Sequence, residues 1–361
     1  MRRSQMRATC LLSVSTLLLA TGCAASDDTS ADTPLDEAAE ASAEVDASDV
    51  ADDAGIEPTA EVARDTISLG VVVDPAWGQV SVAEAFGLFD EVGLNVAIVN
   101  FASGAEAMEA LLGGAVDVVT AADVPTSAAI VASDEVRVLA QGAYHGNMRI
   151  VANGALGIET MEDLDGRSVG TTFGTSAHFM AATFLAQADV AAELVQVAPP
   201  ELQTALRRGD VDAAAIFEPY ATQITAELGD EAVALRGDPP YISLVFYNAL
   251  ADVVQEKEAA LGRLLAAFEC ASTLLDGGDP EARTAVGDAT GLDGATLDGV
   301  LDGYTYGLSL DGSIAHSLFD LASWAVDEGN IDPGDGLPEF SEALDDGPLS
   351  SAADTIVATC S

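Results

Sequence analysis

From Ile67 onward, short apolar runs of strand length alternate with stretches whose apolar residues recur at helical spacing. Strands are predicted at Ile67–Val73, Asn95–Phe101, Val116–Ala121, Val136–Ala143 and Met148–Ala152, with helices at Val80–Glu91, Ala105–Leu112 and Val124–Val131 between them. The scheme then repeats. Strands at Ser168–Thr172, Glu193–Val197 and Val211–Phe217 alternate with helices at Ala177–Gln187, Glu201–Arg207 and Tyr220–Glu227. Tyr241–Asn248 reads as a returning strand, followed by helices at Ala251–Leu275, Glu281–Ala289, Ala295–Tyr304 and Ile314–Glu328. Alternation of this kind implies an α/β protein with parallel-rich sheets covered by helices. Two such series and a helical return predict two lobes, with a ligand crevice at the strand ends.

The pattern ahead of this region is different. Arg2, Arg3 and Arg7 precede an apolar stretch over Leu11–Ala20, too short for a permanent membrane helix and built as a secretory signal over residues 1–22. Leu19-Ala20-Thr21-Gly22-Cys23 resembles a bacterial lipobox, which implies lipidation of Cys23. Residues 23–65 are then mostly Ala, Asp, Glu, Ser and Thr, with almost nothing to bury. Between Ala24 and Asp65 there are 14 acidic residues and one basic residue, Arg64, the composition of a solvated tether.

Charge narrows the function classes. The 361 residues carry 60 Asp plus Glu against 13 Lys plus Arg, a formal net charge of −47, and Lys257 is the one lysine. Such a surface repels phosphate backbones and anionic membranes, so nucleic acid is excluded as a partner and membrane contact is left to the lipid anchor. Acid-rich, lysine-poor surfaces of the halophilic type stay soluble in high salt. With Cys10 in the signal and Cys23 lipidated, Cys270 and Cys360 remain in an oxidising compartment, where one disulfide is expected and two separate buried thiols are the alternative.

Several motifs carry a family resemblance. Ala83-Glu84-Ala85-Phe86-Gly87-Leu88-Phe89-Asp90-Glu91-Val92-Gly93-Leu94 is followed by Phe101-Ala102-Ser103-Gly104-Ala105-Glu106 and Gly114-Ala115-Val116-Asp117. Further on come Leu164-Asp165-Gly166-Arg167, Gly174-Thr175-Ser176-Ala177-His178, Arg208-Gly209-Asp210-Val211-Asp212, Phe217-Glu218-Pro219-Tyr220 and Trp324-Ala325-Val326-Asp327-Glu328-Gly329. In this order they resemble the periplasmic solute-binding proteins of ABC importers, nitrate, sulfonate and taurine class. The resemblance implies a type II periplasmic-binding-protein fold, with lobe I over 66–152 plus 243–361 and lobe II over 153–242. It also implies a monomeric extracytoplasmic lipoprotein on the cell membrane, with a permease and an ATPase as partners, no cofactor and no metal. An aliphatic sulfonate or taurine is the implied solute, and a thiamine-precursor pyrimidine is the alternative.

Candidate ligand residues follow from the strand-to-helix junctions. At Thr175, Ser176, Ala177 and His178, free N–H groups and the helix dipole converge on an anion site, although Thr175 or Ser176 also serves as a plain helix cap. Ser103 and Gly104 open a helix with the capping-box partner Glu106. Asp123 precedes Val124-Pro125 as a cap does. Trp77 and Gln79 follow the first strand, and Glu218 and Tyr220 end another, where a carboxylate suits an amine. Trp77, Phe173, Phe217 and Tyr220 also offer faces for a flat ring. No G-x-S-x-G, P-loop or H-E-x-x-H pattern occurs, and His145, His178 and His316 are widely separated, so a binding protein is expected in place of an enzyme; a ligand sensor is the other reading.

Overall fold

The computed structural model describes residues 64–334 and 336–360. The signal, Cys23 and the tether up to residue 63 lie outside the described residues.

The chain first runs through β1 (Asp65–Val72), α1 (Gly78–Ala85), α2 (Leu88–Glu91), β2 (Leu94–Phe101), α3 (Gly104–Leu112), β3 (Val118–Ala122), α4 (Asp123–Ala132) and β4 (Val136–His145). It then builds a second series from β5 (Arg149–Asn153), β6 (Ser168–Thr171), α5 (Ser176–Gln187), β7 (Glu193–Gln196), α6 (Leu202–Arg208), β8 (Ala213–Ile216), α7 (Tyr220–Leu228) and β9 (Ala232–Leu235). The return comprises β10 (Ser243–Leu250), α8 (Ala251–Asp276), α9 (Pro280–Thr290), α10 (Gly294–Leu301), β11 (Tyr304–Ser309), α11 (Gly312–Asp327) and α12 (Gly347–Ala352).

Two mixed sheets result, one ordered β11-β4-β10-β3-β1-β2 and the other β7-β6-β8-β5-β9. β1 lies parallel to β2 and β3, and β6 parallel to β7 and β8. The returning β10 enters the first sheet antiparallel, between β3 and β4. Each lobe therefore has its own apolar core: Ile67, Leu69, Phe246 and Phe268 in the first, Ile150, Met180 and Phe184 in the second.

The lobes share a local device. Asp117 and Asp212 each end a Gly-x-Val-Asp turn, and each carboxylate takes the backbone N–H and hydroxyl of a serine in the neighbouring strand, within β1 or at the start of β6. For Ser68 the distances are 2.7 and 2.8 Å, and for Ser168 both are 2.9 Å. The repeated motif fixes the same strand-to-strand spacing twice.

The chain crosses between lobes at 146–148 and again at 236–242. His145 pairs with Ser243 at one end of this neck, and Ile150 pairs with Leu235 at the other. Arg236 ties the crossings together by donating to the carbonyls of Asn147 (2.7 Å) and Met148 (3.2 Å).

Three expectations change. The strand read at 148–152 pairs in the second sheet as β5, so the first crossing precedes the 152/153 division. The helix expected over Val80–Glu91 is broken at Gly87, whose φ of 68° no helix accommodates, giving α1 and α2. The helix expected to reach Tyr304 stops at Leu301, because Tyr304 and Tyr306 turn one face of β11 into the core. β9, four apolar residues long, is a further strand that the pattern does not predict.

Candidate ligand cleft

The cleft lies where the C-terminal ends of β1, β3 and β6 meet the neck. Its walls include Asp74, Trp77, Gly104, His145, Met148, Thr175, Ser176, Phe217 and Ser243. Its water-accessible volume is about 30 Å³, room for a water or two and no more. A larger solute requires the lobes to part, which places them here in a drawn-together state.

The loop after β1 supplies the first wall. Asp74 caps a single turn at Pro75–Trp77, its Oδ1 accepting from the Ala76 N–H at 2.8 Å. Two tyrosines of β11 pin the loop from behind: the Tyr304 hydroxyl donates to Asp74 Oδ1 at 3.2 Å, and the Tyr306 hydroxyl donates to the Pro75 carbonyl at 2.6 Å. Asp74 is thereby only 7% exposed. Burial, opposed by the Ala76 N–H and reinforced by the Glu218 charge, pushes its carboxyl up to about 8. Trp77 is 4% exposed, and its indole N–H has no hydrogen-bond partner.

The second wall belongs to α5 and β8. Thr175 caps α5, accepting from the His178 N–H, and its own hydroxyl donates to the Thr172 carbonyl at 2.6 Å. The Ser176 hydroxyl reaches across the cleft to Asp123 Oδ1 at 2.6 Å. Asp123 also accepts from the Tyr241 hydroxyl at 2.6 Å and from the Leu244 N–H at 3.1 Å. Burial holds its carboxyl above the usual range in spite of these donors. Glu218 is paired with Arg149 at 2.8 Å and accepts from the Thr222 N–H. His145 packs at a 31° tilt against Tyr304 with ring centroids 4.5 Å apart, and burial pulls its imidazole down to about 4, leaving the ring neutral at pH 7.

Of the residues singled out from sequence, Trp77, Gly104, Thr175, Ser176 and Phe217 line the cavity. A side chain at Gly104 would meet Pro125 Cγ at 3.0 Å, so the close approach of α3 and α4 there depends on glycine. The others have different positions. Gln79 is fully buried in the first lobe, where its amide donates to the Gly142 carbonyl at 2.5 Å. Ser103 is a helix cap, accepting from the Glu106 N–H. Ala177 sits in the second core. His178 stacks on Phe173 and meets Trp324 edge-on. Tyr220 packs edge-on against Phe217. Asp123 joins the lobes, and Glu218 forms its ion pair beside the cavity.

Sequence reasoning passed over Asp74, Met148 and Ser243 as site residues. Asp74 reads as a cap before proline, and nothing local shows that Tyr304, 230 positions on, will bury it. Met148 and Ser243 arrive only because both crossings converge on the cleft.

Residues 61–289 match the model of the NMT1-like family. Among solved structures, the chain is similar to the alkanesulfonate-binding protein SsuA from Xanthomonas axonopodis pv. citri bound to MOPS, with 18% identity over 77% of this chain and 97% of that one, and a TM-score of 0.67. It is also similar to the periplasmic aliphatic sulphonate binding protein SsuA from Escherichia coli (21% identity, 74% and 94% covered, TM-score 0.63). The periplasmic nitrate-binding protein NrtA from Synechocystis PCC 6803 is a third (15% identity, 81% and 89% covered, TM-score 0.60). No curated protein matches the chain in sequence. At these identities the likeness is one of fold, and the fold is that of the periplasmic binding proteins.

Proposed function

The chain belongs to the NMT1-like family, and from that premise we propose that it is the solute-capturing subunit of an ABC-type importer, working outside the cytoplasm. The observation that carries this reading is the cleft itself: a mostly apolar cavity with aromatic walls and a few polar groups, at the strand ends of two sheets and crossed by paired chain segments. A solute bridging both lobes shifts the open–closed equilibrium towards closed, and the permease recognises the closed form; the protein needs no chemistry of its own. The proposal includes lipidation of Cys23, so that the globule is held on the outer face of the membrane by the acidic tether.

The finer reading is a small zwitterion of the taurine class. Two of the fold neighbours are named as sulfonate binders, which supports the class. The walls favour a member that also carries an amine, since they contain Asp74 and neither lysine nor arginine. A thermal-shift panel of taurine, alkanesulfonates, nitrate and aminopyrimidines tests the reading. A solute at 100 times its Kd stabilises by about 2.7 kcal/mol, a shift of several degrees. A shift with taurine supports the zwitterion, one with aminopyrimidines alone replaces it, and a cooperative melt that no panel member moves rejects solute capture of these classes.

A further inference from the structure

Charge around the cleft is lopsided. Asp74 lines it, Asp123 adjoins it, and Glu218 stands beside it, while Arg149 is engaged by Glu218 at 2.8 Å and Arg236 by the carbonyls of Asn147 and Met148. A buried carboxyl without a cation sheds its charge by holding a proton, as Asp74 does, and a cation delivered by the ligand displaces that proton and restores the charge. The two hydrogen bonds to Asp74, from Ala76 and Tyr304, both end on Oδ1, so Oδ2 receives neither.

The anion site expected at the start of α5 is already met. Ser176, its first residue, gives its hydroxyl to the Asp123 carboxylate, so the negative charge that a helix N-terminus attracts is supplied by the protein's own first lobe. A sulfonate placed there would face that carboxylate at close range. Two further features point to what the cavity does accept. Trp77 and Phe217 line it with aromatic faces, which attract ammonium groups. The Trp77 indole N–H, 96% buried by residue and without a partner, requires an acceptor that the protein does not provide.

We propose that the cleft selects its solute through a positively charged nitrogen seated against Asp74 and the Trp77 ring, so that the cationic half of the ligand is obligatory and the anionic half dispensable. This rests on the solute-capture reading and goes beyond it by naming organic ammonium compounds, primary or quaternary, as the recognised class. The Trp77 N–H then serves an oxygen acceptor elsewhere on the same molecule.

The test is calorimetric titration of the purified full chain, at fixed ionic strength, with four probes: taurine, ethanesulfonate, ethanolamine and choline. Ethanesulfonate is taurine without its amine; ethanolamine keeps the amine and loses the sulfonate. The expected result is binding of taurine and at least one of the sulfonate-free ammonium compounds, with ethanesulfonate at least tenfold weaker. Asp74→Asn should weaken the ammonium probes at least tenfold and leave ethanesulfonate unchanged. Should Asp74→Asn fail to fold, Trp77→Phe replaces the indole by a smaller ring and removes its N–H, and should weaken choline binding at least threefold; unchanged choline binding counts against the seat on Trp77. Ethanesulfonate binding as tightly as taurine overturns the inference and leaves solute capture standing. Silence from all four probes, and from the wider sulfonate, nitrate and pyrimidine panel, overturns both.

Discussion

The Ser176 hydroxyl donates to Asp123 Oδ1 at 2.6 Å, joining the first residue of α5 in one lobe to the first residue of α4 in the other. Both helices open onto the cleft, so the carboxylate bridges two helix N-termini and favours the closed arrangement without any ligand. A hydrogen bond to a charged group contributes about 1.5–3 kcal/mol. Ser176→Ala should therefore shift the ligand-free protein towards an open form by roughly tenfold or more. Small-angle scattering would register this as a larger radius of gyration; an unchanged radius would mean that the bridge does not hold the lobes.

Arg149 and Glu218 form the second buried charge relationship, their side chains 12% and 4% exposed. Both belong to the second lobe, and Arg149 also reaches the Thr222 hydroxyl at 3.3 Å. Removing one member strands the other in a poorly solvated position, which costs about 3–5 kcal/mol. Arg149→Met is expected to lower stability by that order in urea unfolding. The double variant Arg149→Met, Glu218→Gln should recover most of the loss, because no charge is left unpaired.

Stability should depend on pH in a way set by two groups that share Tyr304 as a neighbour. Asp74 titrates at about 8 in the folded protein against an ordinary 3.8, so the folded state binds the extra proton between these values, and stability falls as pH rises through that window. His145, lowered to about 4 from 6.5, has the opposite sign: stability falls as pH drops below 6.5. Both groups feel the Glu218 charge. The two slopes offset each other between about 4 and 6.5, leaving a net fall of about 1.4 kcal/mol per pH unit from 6.5 to 8. Asp74→Asn should abolish that fall in denaturant unfolding curves, and a variant that keeps the wild-type slope would show that another group titrates.

Much of this architecture is legible in the chain because local rules and tertiary need coincide. Ser103 with Glu106 and Thr175 before α5 mark helix starts, and both cap as their residue types require. The second lobe's β6, α5 and β7 fall within a residue or two of the expected limits. What escapes notice depends on distant partners. β11 is a six-residue strand in a helical region, held by pairing with β4 some 160 positions earlier. The cleft shows the same limit: a cap such as Asp74 and a site carboxyl look alike until Tyr304 arrives to bury one of them. Gln79, next to a true wall residue, is withdrawn because its amide finds the Gly142 carbonyl.

The Cys270–Cys360 disulfide, with Cα atoms 5.6 Å apart, fastens the C-terminal tail to α8 across 90 positions. A closed loop of about that size stabilises by roughly 4–5 kcal/mol in the chain-entropy account. Reduction, or Cys270→Ser with Cys360→Ser, should lower the melting temperature by several degrees while leaving solute binding in the distant cleft intact. Loss of binding in a still-folded double variant would mean that the tail acts on the cleft.

The chain has two tryptophans, and both report on the cleft. Trp77 lines the cavity from the first lobe. Trp324, on α11 of the same lobe, meets Phe179 and His178 of α5 edge-on, at 4.8 and 5.5 Å between ring centroids. Parting of the lobes exposes Trp324 to water, and seating a solute changes the surroundings of Trp77. Intrinsic fluorescence should therefore split into two signals. In Trp77→Phe the remaining emission follows closure alone and should shift to the red in Ser176→Ala, where the bridge to Asp123 is lost. In Trp324→Phe the remaining emission should respond to bound solute, which seats directly against Trp77. If Trp324 emission is the same with and without the Ser176–Asp123 bridge, either the bridge does not set lobe position or the α11–α5 contact persists in the open form. Scattering on the same Ser176→Ala protein separates these: a larger radius with unchanged emission identifies α11 as a strap that moves with the second lobe.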